Sequence, residues 1–114
     1  MMVLERGSPA VTIRRAGPDF SVSTWSSGDE YVVELAGELD LAARDHVLAG
    51  CLGGGDRDVA VLLDRVNFMD CAGYGALCGA RNEVAARGHS LTLHGATGSA
   101  ARLLSLLPTE GGSL

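Results

Sequence analysis

Apolar and polar positions alternate with period two early in the chain, then give way to apolar blocks separated by turn residues. Phe20, Val22 and Thr24 alternate with serines, the pattern of a half-buried strand. Ser27, Gly28, Asp29 and Glu30 form a turn, and Tyr31-Val-Val-Glu-Leu-Ala36 reads as a second strand, so an antiparallel hairpin is expected. Residues 1–19 are loosely specified, with Val11-Thr12-Ile13 a candidate edge strand bracketed by Pro9, Gly17 and Pro18. Gly37-Glu-Leu-Asp40 is expected to leave the sheet, and Asp40 to cap a helix over 41–52. Leu41, Val47, Leu48 and Leu52 would share its apolar face, and Gly53-Gly-Gly55 would stop it. Val59-Ala-Val-Leu-Leu63 has the continuous apolar character of a central strand. A loop over 64–69 is predicted next, then a helix from Asp70 to Gly88, with glycine at its end after Arg87. Leu91-Thr-Leu-His94 is a short strand, and 99–107 a last helix whose Leu103, Leu104, Leu106 and Leu107 face the core. Pro108 ends it, leaving 108–114 as a short tail. Strands and helices alternating in this way predict an α/β fold over residues 20–107. It would hold a mixed sheet of about four to five strands, with three main helices packed against it.

Composition narrows the functional classes. The 114 residues are 46% hydrophobic and 20% charged, which is globular, and their length sets one domain as the expectation. A net charge of -5, with 9 cationic side chains against 14 anionic ones, argues against binding to a nucleic-acid backbone. Aromatic residues make up only 4%, too few for stacking platforms. The longest apolar runs fall far short of the roughly 20 residues a bilayer span needs, and Glu5 and Arg6 interrupt any leader-like start. A cytoplasmic protein with reduced thiols at Cys51, Cys71 and Cys78 is expected.

The segment from Val59 to Gly88 carries the chemistry. Asn67-Phe-Met-Asp-Cys-Ala-Gly-Tyr-Gly-Ala-Leu77 opens a helix whose first turns are nearly all small. Gly73, Gly75 and Gly79 each cost a helix about 1 kcal/mol relative to alanine. Three such positions at one helix start point to a contact surface, at an end whose free amides and dipole favour an acidic group.

These residues resemble the STAS domain of bacterial anti-sigma factor antagonists. The similarity lies in Gly37-Glu-Leu-Asp40, the strand 59–64, Phe68-Met-Asp-Cys-Ala-Gly73 and Gly88-His-Ser-Leu-Thr-Leu93, and it covers residues 20–107. It implies a small mixed sheet with helices packed on it. It also implies a partner, an anti-sigma factor of the histidine-kinase-like ATPase superfamily that otherwise holds a sigma factor; binding it frees the sigma factor. The partner-binding residues it implies are Asp40, Asp70, Cys71, Ala72, Gly73, Tyr74 and Gly75. In the family the kinase switches the antagonist off by phosphorylating a serine or threonine just after the motif aspartate. Here that position is Cys71, and no serine or threonine lies between Asp64 and Gly88. The usual dianionic switch is chemically unavailable.

Two interpretations of Cys71 remain: a passive isostere of serine, or a thiol-based, redox-responsive switch. Cys78, about 10 Å further along the helix, is out of disulfide reach of it. Enzymatic use of Cys71 finds no support. A cysteine phosphatase would need arginine at position 77, which is leucine; a thioredoxin-type C-x-x-C is absent; and no histidine is spaced to act as a base. The cysteines and histidines lack zinc-site spacings, and no cofactor is implied. The remaining alternative class is a STAS interaction module in another signalling assembly.

Overall fold

The computed structural model of the chain describes residues 12–15 and 19–106. Strands β2 (Phe20–Ser27) and β3 (Glu30–Leu39) form the expected antiparallel hairpin, and β1 (Thr12–Arg15) pairs antiparallel with β2 at the sheet's edge. Strand β4 (Asp58–Met69) lies parallel to β3, and β5 (Leu91–His94) parallel to β4. The mixed sheet of five strands therefore runs β1-β2-β3-β4-β5. Parallel neighbours need crossovers, and these are helical. A single 3-10 turn (Leu41–Ala43) and helix α1 (Arg44–Leu52) join β3 to β4; helix α2 (Cys71–Ala86) joins β4 to β5. The two helices pack on one another over the sheet, while α3 (Gly98–Leu106) packs against β4.

The core lies between that sheet face and the helix pair. Val33, Leu35, Leu39, Val61 and Leu63 from the strands meet Val47 and Cys51 of α1, and Leu77, Ala80 and Val84 of α2. Leu103 and Leu104 pack half-buried against it, whereas Leu107 and the side chain of Leu106 fall outside the described residues, as do Val11 and 108–114.

Three expectations are corrected. The chain does not leave the sheet at Gly37, and 64–69 is not a loop: β3 continues to Leu39 and β4 to Met69, paired with each other. Two register shifts, between Glu34 and Ala36 and between Gly37 and Glu38, allow this. At the second shift Gly37 has φ +104°, and the carbonyl of Asp19 occupies the space where its Cβ would be. That carbonyl accepts a hydrogen bond from the Glu38 N–H at 2.9 Å. Bulges of this kind break the period of two, so the extended ends lack a strand's sequence signature. The third correction is Leu41. It is 68% exposed, because Asp40 caps the short turn before α1 and the helical apolar face starts later. Among the described residues, no helix is long and apolar enough to cross a membrane.

Candidate functional site

Leu39 and Met69 are register partners at the carboxyl ends of β3 and β4, so Asp40 and Asp70 follow them side by side on one edge of the sheet. Each aspartate caps the element after it. Asp40 Oδ1 accepts from the Ala42 N–H at 3.0 Å, and Asp70 Oδ1 accepts from the Gly73 N–H at 2.9 Å. The Asp70 N–H also donates to the Leu39 carbonyl at 3.3 Å, tying the start of α2 to the end of β3. Carboxylates accepting from free helical amides satisfy donors that the helix itself leaves unpaired.

The seven residues singled out in the sequence fall into distinct environments. Cys71 and Gly75 face solvent, and a Cβ at Gly75 would meet nothing within 4 Å. Asp40, Asp70, Ala72 and Tyr74 are half-buried, Tyr74 with its ring against the core. Gly73 is buried, and the Leu39 carbonyl fills the position its Cβ would take. The glycine group is therefore not one surface. Gly73 permits close packing, Gly75 opens the outer face, and a Cβ at Gly79 would make ordinary contact with Leu48 at 3.7 Å.

Two residues on this edge were missed from the sequence. Phe68 is 43% exposed beside Asp70, and Leu41 is exposed beside Asp40. Together with Ile13 they are the large hydrophobics exposed among the described residues. The available signal was alternation: Leu39 and Met69, directly before the capping aspartates, are buried, which leaves Phe68 before Met69 and Leu41 after Asp40 outside the core.

The three cysteines are free thiols. Cys51 is buried in the core, where loss of hydration pushes its thiol up to about 12. It forms no disulfide with Cys71 or Cys78. The histidines lie elsewhere. His89 Nδ1 is 3.2 Å from Asp58 Oδ1, which also accepts from the Ser90 N–H at 3.0 Å, at the end of β4 remote from Asp70. Those bonds, the Ser90 amide foremost, hold the Asp58 carboxyl below its ordinary value. His94 Nε2 is 2.7 Å from Thr92 Oγ1. Among the described residues, no three His, Cys, Asp or Glu side chains cluster as metal ligands would.

A family model described as Mlab, STAS domain, matches residues 22–111. No curated protein sequence matches the chain. Among solved structures, the antisigma-factor antagonist STAS domain from Rhodobacter sphaeroides is similar at TM-score 0.60 and 21% identity, over 72% of this chain and 96% of that one. The unphosphorylated anti-sigma factor antagonist SpoIIAA, from Bacillus, aligns at TM-score 0.57 and 20% identity, over 87% of this chain and 84% of that one. The murine solute carrier 26 family anion transporter Slc26a9 aligns at TM-score 0.63 and 14% identity, over 75% of this chain but 15% of the transporter. At these identities the likeness is one of fold.

Proposed function

This chain belongs to the STAS-domain family, and on that premise we propose that it is an anti-sigma factor antagonist, a binding protein rather than an enzyme. It docks, in the cytoplasm, on an anti-sigma factor of the histidine-kinase-like ATPase superfamily and so frees a sigma factor for transcription. One observation supports this most: Leu41 and Phe68 stand exposed within two residues of the two capping aspartates, and Cys71 and Gly75 of the helix that Asp70 caps are exposed as well. Covering a large apolar side chain is worth about 1.5–3 kcal/mol, so these two supply affinity while the open position at Gly75 allows a close approach. Two of the structural neighbours named above are themselves antagonists of this kind, and SpoIIAA has been solved both unphosphorylated and phosphorylated. Cys71 removes the equivalent acceptor here, so release of the partner runs by a route other than phosphate on this residue.

The test is affinity capture from the native cell extract with the chain as bait, followed by protein identification. The expected result is an ATPase of that superfamily, retained by Ile13→Ser and lost with Phe68→Ser. Retention by Phe68→Ser together with Gly75→Leu would overturn the docking surface. Capture of an unrelated assembly through the same edge would instead select the interaction-module alternative, which the Mlab description and the transporter neighbour favour.

A further inference from the structure

A recess lies away from the capped edge, between the sheet and the helix laid over it. Val22 and Thr24 of β2, Tyr31 of β3, and His46, Ala49 and Gly50 of α1 enclose about 250 Å³. No side chain from Gly50 or Gly53 enters the space, and a Cβ at Gly53 would stand 3.4 Å from the Tyr31 hydroxyl. The Tyr31 ring is held by Arg57, whose guanidinium carbon is 4.9 Å from its centroid. Thr24 is the informative residue. It is 9% exposed, it lines the recess, and among the described residues its hydroxyl has no hydrogen-bond partner. A buried hydroxyl left without a partner is unfavourable and rare. Here it shares an otherwise apolar hollow with a phenol and an imidazole. A few convergent polar groups on an apolar wall are what a small-molecule site presents before it is filled.

The lining also defines what would fill it. Among the described residues it carries no carboxylate, arginine or lysine, and the His46 imidazole is the one group in it that can meet a ligand's charge. An apolar cavity of roughly 150 Å³ accepts benzene, so this one has room for a ring with a few substituents. We propose that the recess binds a small neutral ring compound carrying a hydroxyl or amide-type group, with the ring against Val22 and α1 and the polar group on the Thr24 hydroxyl. The site is separate from the capped edge and does not depend on the docking role argued for that edge.

The experiment is titration of the isotope-labelled full chain with phenol, followed through backbone amide resonances. Benzoate and benzylammonium serve as charged probes of similar size. Phenol is expected to shift the amides of Thr24, Tyr31, Gly50 and Gly53 saturably, with a Kd at or below about 1 mM. Both charged probes should bind at least roughly tenfold more weakly, since a buried charge loses its hydration and a single imidazole does not replace it. Thr24→Val preserves shape without the hydroxyl; it should weaken phenol binding roughly fivefold while raising the melting temperature. Ala49→Leu, at an exposed helical position, should fill the mouth, leave the fold intact and abolish binding. Absence of saturable shifts at those amides would overturn the proposal, as would undiminished phenol binding by Thr24→Val. A lower melting temperature for Thr24→Val would show that the hydroxyl already has a partner within the chain, and would also overturn it. Equal binding of benzoate would refute the neutral class.

Discussion

A thiol stands at position 71, where the family resemblance places a hydroxyl, and it faces solvent just past the cap of α2. Incubation with the proposed partner kinase and ATP is therefore expected to leave the chain unmodified, whereas Cys71→Ser should acquire one phosphate, provided the docking face is kept. Intact-mass measurement checks both; a stoichiometric phosphate on α2 of the unaltered chain would defeat the expectation. The thiols should also separate by rate. Cys71 reacts first with a disulfide reagent, half-buried Cys78 more slowly, and Cys51 only when the whole domain opens, because it is buried and its thiol stays protonated to about 12. Biphasic labelling with a third, denaturant-dependent phase is the expected record. Two of the sequence's candidate residues have a second, structural role. Asp70→Ala removes the acceptor for the Gly73 N–H and should cost about 1 kcal/mol, or roughly 5 °C in melting temperature.

Helix α2 shows what could and could not be seen from the sequence. Its start was legible, because a carboxylate followed by a long small-to-apolar run is a local signal and Asp70 is the cap. The division of labour among its glycines was not, because the atom that requires Gly73 is the carbonyl of Leu39, contributed by another strand. The same limit hid the ends of β3 and β4. Their pairing is set by two register shifts and by the approach of Asp19 to Gly37, none of which leaves a period in the sequence. Leu41 and Phe68 were missed for a related reason: their exposure follows from where the strands end. The contrast between two glycines of one helix gives the test. Gly73→Ala drives a methyl into the Leu39 carbonyl and should cost about 2 kcal/mol or more. Gly75→Leu meets open space, so stability should hold or rise by up to about 1 kcal/mol while partner binding falls. Chemical denaturation and a binding assay on the same two variants separate packing from docking. If Gly75→Leu unfolds the domain, the open face has been misassigned.

Across the whole molecule, the parallel strands give the domain two unlike ends. The carboxyl ends of β3 and β4 carry the caps and the exposed apolar pair; the amino end of β4 carries Asp58, tied to the Ser90 amide and to His89 across the start of β5. This second end fastens the β4–α2–β5 crossover rather than offering a surface, and it makes stability depend on acid in a definite direction. Asp58 in the folded chain holds its proton less readily than the ordinary carboxyl at 3.8, first because the Ser90 N–H donates to it and next because of His89. Below that value the unfolded chain takes up the proton more readily, so acidification favours unfolding. The stabilisation is complete above pH 3.8 and is lost as the pH falls through the lower folded value. Asp58→Asn should therefore be less stable than the unaltered chain at pH 7, with the gap closing as the solution is acidified. His89→Ala should lose less, since the amide bond remains. Denaturant midpoints at pH 7 and near pH 3 decide the point: a gap of constant size at both would show that the carboxylate is not held by these bonds. Docking measured at pH 7 should be the same for Asp58→Asn as for the unaltered chain, because the fastening and the proposed partner face lie at opposite ends of β4.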